Sequence, residues 1–343
     1  MNLKKINEIL VAEPSYRLKQ IKRAVFVDLI TDWLEATNLT LALREKLNTE
    51  CPLTIAGELI QGQADNNVQK AILTLADGLK IETVLMRHKT GRQTVCVSSQ
   101  VGCALACTFC ATGQNGFKRN LSADEIVEQV LFFQRVLKNE NSKVNNVVFM
   151  GMGEPLLNYE AVLAAIKTIN DPLALGIGMR HISVSTVGIV ENIKKLATED
   201  LQINLALSLH ASNNELRSKI MPINKKFALA EVLKAMDFYA GQTNRRVMLE
   251  YIMIKDFNDQ LEQARELVGL IRKSFKAENQ KLVFVNLIAY NPTGIFEPAA
   301  DGVIKNFHDY LMQEGIDATI RFRFGGDINA ACGQLVYGKN NLD

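Results

Sequence analysis

Three cysteines, Cys103, Cys107 and Cys110, stand in the run CALACTFC with the spacing C-x3-C-x2-C. Three thiolates on one short loop can each hold one iron of a cubane [4Fe–4S] cluster and leave the fourth iron open to a small-molecule chelate. A structural zinc site needs four protein ligands, and no nearby histidine completes such a set. An isolated cysteine is often a small buried hydrophobe. A triplet at this spacing, in a chain with six cysteines, points instead to metal chemistry.

The other three cysteines read differently. Cys332 is flanked by Ala330, Ala331 and Gly333 and suits a mobile functional loop better than a core. Cys96 lies in the strand that leads into the triplet, where a small buried hydrophobe and a working thiol are equally consistent with the sequence. Cys51 stands alone and reads as structural. Gly151-Met152-Gly153-Glu154-Pro155 combines a turn with a carboxylate, and glycine lets backbone approach a ligand closely. Taken alone, such a turn is an ordinary strand-to-helix loop. Ser208 and His210 likewise read, by themselves, as strand-end packing.

These residues need elements to position them. Short β-branched runs alternate with longer amphipathic stretches from about Gln93: TVCVS (94–98), NVVFM (146–150), HISVST (181–186), INLALSL (203–209), VMLEYIMI (247–254), LVFVNLIAY (282–290) and ATIRFRF (318–324). Helix patterns lie between them, such as SADEIVEQVLFFQRVL, in which Ser122 and Glu125 form a capping box. Strand–helix alternation indicates parallel βαβ units, and six or seven repeats suggest an α/β barrel, complete or partial. Each motif falls at or just after the carboxyl end of a strand, and in a parallel barrel those ends form one rim. Upstream, residues 1–60 are expected to be helical, with 3.6-residue periodicity through IKRAVFVDLITDWLEA. Residues 61–92 open with a polar loop from Gln61 and continue as a hairpin turning at Asp77-Gly78. Residues 93–343 hold the barrel and the Cys332 loop.

An apolar fraction of 48% with 22% charged residues is that of an ordinary soluble domain. No apolar run is long enough to span a bilayer, so a cytoplasmic location, no membrane association and a monomer are expected. The net charge of +2 leaves any nucleic-acid binding to local patches. Basic clusters occur at Arg17/Lys19/Lys22/Arg23, Arg87/His88/Lys89/Arg92, Lys118/Arg119, Lys225/Lys226, Arg245/Arg246 and Arg321/Arg323. Any one of them is more often a solvated face than a phosphate contact.

The triplet is the hallmark spacing of the radical S-adenosylmethionine superfamily. CVSSQVGCALACTFCATG, FMGMGEPLLNYEAVL, HISVSTVGI, LALSLHA, the NP of IAYNPTG and DINAACGQL narrow the resemblance to the RlmN/Cfr family of RNA adenine methyltransferases. The resemblance runs from YRLKQI near Tyr16 to AACGQL, nearly the whole chain, and is closer to the C2-methylating branch than to the C8-methylating, antibiotic-resistance branch. It implies a partial (β/α)6-type radical SAM barrel behind an N-terminal helical, RNA-binding accessory domain. It also implies S-adenosylmethionine contacts at Gly153, Glu154, Ser185, Ser208, Leu209, His210 and Asn291, with the cluster on Cys103, Cys107 and Cys110.

Carbons C2 and C8 of adenine are poor nucleophiles, so polar transfer from a methylsulfonium is implausible. The resemblance implies a radical route using two S-adenosylmethionine molecules per turnover. One methylates the cysteine matching Cys332. The other yields a 5′-deoxyadenosyl radical that abstracts hydrogen from that methyl group, and the new carbon radical adds to the ring. The thiol matching Cys96 then takes the ring proton and forms a disulfide with Cys332 as product leaves. Glu82 matches a family glutamate proposed as a proton acceptor, and reads equally well as a solvated strand-face carboxylate. The implied partners are 23S rRNA, tRNA beside its anticodon, and an electron donor such as flavodoxin or ferredoxin. The target base must be unstacked to reach the rim. A radical activase of a protein partner would need neither Cys96 nor Cys332, and a non-catalytic RNA-binding protein with structural zinc would show no iron spectrum.

Overall fold

The structure, a computed structural model, describes residues 3–53, 56–61, 67–321 and 328–336. Arg323 and the end of the expected strand ATIRFRF lie outside the described residues.

Ten strands form one sheet in the order β1 (Ala56–Gln61), β2 (Val68–Thr74), β3 (Lys80–Arg87), β4 (Gln93–Cys96), then β7 to β12, while β5 (Gln100–Gly102) and β6 (Phe117–Asn120) pair separately. β7 is Asn146–Phe149, β8 Ile182–Thr186, β9 Asn204–Ser208, β10 Val247–Met253, β11 Val283–Ala289 and β12 Ala318–Ile320. β1 to β4 are antiparallel, and every pairing from β4 to β12 is parallel. Strand order follows chain order, with helices at each crossover: Ala123–Lys138, Tyr159–Asn170, Val190–Leu196, Leu229–Thr243, Leu261–Ser274 and Asp301–Gln313. That is the arc of a partial barrel, and among the described residues β12 has no strand partner beyond β11.

Along the arc from β4 to β11 the residues of both faces are buried or half-buried, so the strands read as largely apolar runs. Val247, Leu249, Tyr251 and Met253 of β10 are all fully buried. The helix Ala123–Lys138 starts where the capping box puts it. Glu125 N–H donates to Ser122 Oγ at 3.2 Å, and Ser122 N–H to Glu125 Oε2 at 2.8 Å.

Two expectations upstream are corrected. The stretch 21–36 is not one helix: Tyr16–Arg23 gives way to a π turn at Ala24–Asp28 that Leu29 closes with φ +58°. Most of its apolar residues still reach the core, Trp33 most deeply, with Nε1–H donating to Cys51 O at 2.7 Å, while Val27 and Leu34 stay exposed. Strand β1 also occupies the end of the region expected to be helical. It is an almost wholly exposed edge strand, so it carries no apolar alternation for the sequence to show. Among the described residues no helix is long and apolar enough to cross a membrane.

Candidate active site

Cys96 ends β4, and Val97–Ser99 carry the chain into β5, so the cysteine loop opens just past a parallel strand's carboxyl end. The β5–β6 hairpin closes the loop's base, with Cys103 N–H donating to Gly116 O at 2.9 Å. Gly102 permits this approach: its φ is +75°, and a Cβ there would lie 2.0 Å from the Gly116 carbonyl oxygen. Within the loop Ala106 takes φ +51° and Cys110 N–H returns to Cys107 O at 3.1 Å. Thr108 N–H donates to Ile220 O at 3.0 Å, fixing the loop against the helix Asn214–Ile220.

Cys103, Cys107 and Cys110 line one cavity of about 150 Å³, together with Gly153, Glu154, Ser185, Ser208 and His210. Burial pushes the Cys103 thiol up to about 12 and Cys107 further still. Thiolates crowded into a low-dielectric pocket need a cation to stabilise them, and iron coordination supplies it. Among the described residues no three Cys, His, Asp or Glu side chains converge on a single ion. Three thiols spaced along one loop would fit a cluster in which each sulfur takes its own iron.

The turn after β7 is threaded tightly past the one after β4. Gly151 N–H donates to Val97 O at 3.1 Å, and a Cβ on Gly151 would meet that oxygen at 2.7 Å. Glu154 is buried, and its two oxygens accept the backbone N–H groups of Leu156 at 3.1 Å and Val187 at 2.9 Å. Burial raises its carboxyl to about 7, although Thr186 and those N–H groups oppose the shift. A buried carboxylate with no cationic partner among the described residues suits a ligand ammonium group. Ser185 and Ser208 lie 3.3 Å apart through their hydroxyls on neighbouring strands.

His210 takes φ +59°, and its Nδ1 accepts the Ile252 N–H at 3.2 Å. Burial, with Arg217 nearby, lowers its pKa to about 3. The ring is therefore neutral near pH 7, and its proton is left on Nε2. Phe109 of the cysteine loop packs edge-on against it at 4.9 Å between centroids.

Leu209 and Asn291 do not line this first cavity. The Leu209 side chain is fully buried core and lines neither cavity. Asn291 lines a second, larger cavity, where its Nδ2 donates to Cys332 O at 3.2 Å. Glu82 lines neither cavity and is not a solvated strand-face carboxylate either. It is 4% exposed, pairs with Lys70 Nζ at 2.9 Å, and accepts Val336 N–H at 2.8 Å. Its oxygens meet the Lys70 ammonium and the Val336 N–H, and neither of those residues lines a cavity.

The second cavity, of about 900 Å³, is lined by Cys96, Ala330, Ala331 and the basic loop Arg87/His88/Lys89/Arg92. Cys332, Arg321, Glu250 and Met150 line both cavities and so form the wall between them. Cys332 is exposed on this wall, whereas Cys96 is buried and its thiol pushed up to about 12, by burial first and then by Cys332. All six cysteines are free thiols.

Arg321 and Glu250 were missed as site residues. Their charged ends stand 3.5 Å apart, and the fields of Cys332, Glu250 and Cys96 hold the Arg321 proton more firmly than usual. Arg321 reads in the sequence as part of a basic cluster. Its position just past β12 was the available clue. Arg217 was also missed: fully buried, it donates to Val187 O at 2.6 Å, Leu209 O at 3.2 Å and Asn224 Oδ1 at 2.9 Å. Other basic clusters are held within the protein, Lys22 on Asp171 and Arg119 on Asp77 and Glu125 among them.

Residues 97–268 match the Radical SAM superfamily profile. A relative from Dictyoglomus turgidum named "Probable dual-specificity RNA methyltransferase RlmN" is 45% identical over 332 residues, covering 96% of this chain and 93% of that protein. One of the same name from Geobacillus kaustophilus is 42% identical over 339 residues, covering 98% and 91%. Among solved structures, a radical SAM methyltransferase from Sphaerobacter thermophilus superposes with a TM-score of 0.91 at 40% identity, covering 98% of this chain and 97% of that one.

Proposed function

The chain belongs to the radical SAM superfamily and, within it, to the family of RlmN dual-specificity RNA methyltransferases, and on that premise we propose that it methylates C2 of an adenosine in 23S rRNA and of one beside the tRNA anticodon. It is an S-adenosylmethionine-dependent RNA methyltransferase with a [4Fe–4S] cluster. C8 methylation is the alternative outcome of the test below.

One observation carries the residue assignment: Cys332 stands on the wall between a thiol-lined cavity and a basic one. Cys103, Cys107 and Cys110 would hold the cluster, which together with S-adenosylmethionine supplies one-electron reductive cleavage chemistry. Glu154 would take the ammonium group of that cosubstrate, and Ser185, Ser208 and His210 would line its bed. His210, neutral and fixed by Ile252 N–H, offers Nε2–H as a donor without adding charge. Cys332 would carry the methyl group from the first cavity to the second, two cosubstrate molecules being used per turnover. Cys96, which lines the second cavity with Cys332, would take the ring proton as its thiolate. Arg321 favours whichever of the two sulfurs is ionised, because its guanidinium faces both.

The basic loop between β3 and β4 projects Lys89 and Arg92 at the mouth of the second cavity, where phosphates beside an unstacked base would lie. A flavodoxin- or ferredoxin-type donor, a monomeric state and a cytoplasmic location belong to this same reading.

The test is mass spectrometry of nucleosides from RNA treated anaerobically with the reconstituted enzyme. 2-Methyladenosine is expected, and it should vanish in both Cys332→Ala and Cys96→Ala. 8-Methyladenosine, or product retained in both variants, overturns the proposal.

A further inference from the structure

The Cys332 loop is fastened from two sides. From the rim, Asn291 Nδ2 reaches Cys332 O, Thr112 Oγ1 reaches Leu335 O at 2.6 Å, and Ala111 N–H reaches Gly333 O at 2.8 Å. From the sheet below, one ion pair reaches both ends of the loop. Glu82 Oε2 accepts Val336 N–H at 2.8 Å, and Lys70 Nζ lies 3.5 Å from Asn329 O. Asn329 turns that carbonyl downward from a left-handed conformation, φ +50°.

Lys70 and Glu82 are well suited to act together. In the β2–β3 register Lys70 faces Val84 and Glu82 faces Ile72, so the two are diagonal neighbours on one face. They are 1% and 4% exposed. A buried pair of this kind is weak evidence for a stability role, since apolar residues of similar volume often serve as well or better. It does, however, impose direction: each charge satisfies its partner and keeps further hydrogen-bonding capacity. Here each makes one further contact to the backbone flanking Cys332.

We propose that Lys70 and Glu82 are positioning residues that hold the Cys332 loop where its sulfur faces both cavities, and that Glu82 is not the proton acceptor of the reaction. The assignment rests on Cys332 being the methyl carrier. The pair fixes the span Asn329–Val336 from beneath, so the sulfur can move only as far as the loop between those two anchors allows. Val84, two residues along from Glu82 on the same face, lines the second cavity opposite Cys96. The Glu82 anchor is therefore built on the strand that also lines the second cavity, and Lys70 sits on the neighbouring strand.

The test uses the full-length, anaerobically purified holoprotein. The double variant Lys70→Met/Glu82→Leu keeps the volume and removes both charges. Hydrogen exchange is expected to rise at least tenfold in peptides spanning 328–336 and to stay unchanged in peptides of β2 and β3. Methyl groups delivered to RNA per 5′-deoxyadenosine formed should fall at least tenfold at unchanged iron content. Glu82→Gln, which retains an oxygen for Val336 N–H, should keep at least a tenth of wild-type transfer; this variant decides the matter if the double variant does not fold. Unchanged exchange in the tail of the double variant refutes the positioning role, as does abolished transfer in Glu82→Gln with tail exchange unaltered. Cys332→Ala serves as the control: if it still transfers methyl groups, the carrier assignment fails, while the exchange result stands or falls separately.

Discussion

If Glu154 binds the ammonium group of S-adenosylmethionine, cosubstrate affinity must follow its ionisation. The free carboxyl sits near 7 because burial disfavours its charged form. Only about a tenth of the protein carries the carboxylate at pH 6, and about nine tenths at pH 8. A cation selects the ionised form, so the apparent Kd should tighten about tenfold between those pH values. In Glu154→Gln the slope should disappear. The substitution has two costs that can be separated. The carboxylate now accepts from both Leu156 N–H and Val187 N–H, and an amide has only one oxygen, so one N–H faces an NH2 group at a cost of about 1–3 kcal/mol in stability. The lost charge-assisted bond to the ammonium weakens binding by a further ~1.5–3 kcal/mol, roughly 10- to 150-fold in Kd. Isothermal titration of the anaerobic protein at pH 6, 7 and 8 measures the binding effect, and urea unfolding the stability cost. A wild-type Kd flat across this range, or a slope surviving in Glu154→Gln, would mean that another group titrates and that the ammonium lies elsewhere.

Three further outcomes follow from the geometry. Gly102→Ala forces a Cβ onto the Gly116 carbonyl at positive φ, so unfolding stability should drop by at least about 2 kcal/mol with a matching loss of bound iron; full iron content would show that the hairpin does not close the loop. His210 stays neutral in the fold down to about pH 3, whereas the unfolded chain takes up that proton below about 6.5. The unfolded state thus binds more protons in this window, and stability falls as pH drops, by about 2 kcal/mol from this group at pH 5. His210→Asn, which tolerates the left-handed backbone, should remove that part of the difference between urea midpoints at pH 7 and pH 5; an undiminished difference counts against the buried neutral ring. Lys89→Ala and Arg92→Ala should each lower the slope of log Kd for RNA against log salt by about 0.7–0.9, measured by filter binding, and unchanged slopes would place the phosphates away from the second cavity.

The cysteine triplet was legible because chelation by a short loop is a local property, fixed by residue type and spacing. The parallel strands were legible because burial on both faces leaves largely apolar runs, and their carboxyl ends showed which motifs would share a rim. Strand β1, polar and exposed along an edge, left no such trace, and neither did the π turn that ends the expected N-terminal helix. For Glu82 the sequence offered a proton acceptor or a solvated carboxylate, and only the fold shows it buried against Lys70 and Val336 N–H. Arg321 read as part of a surface cluster and stands instead against Cys332 and Glu250. Residue chemistry and spacing determined what could bind iron and where the strands run. Which buried charges meet, which cavity each side chain faces, and that Cys332 divides two cavities were decided by the tertiary structure alone, since burial and pairing depend on partners on other elements, as far away in the chain as Val336 is from Glu82.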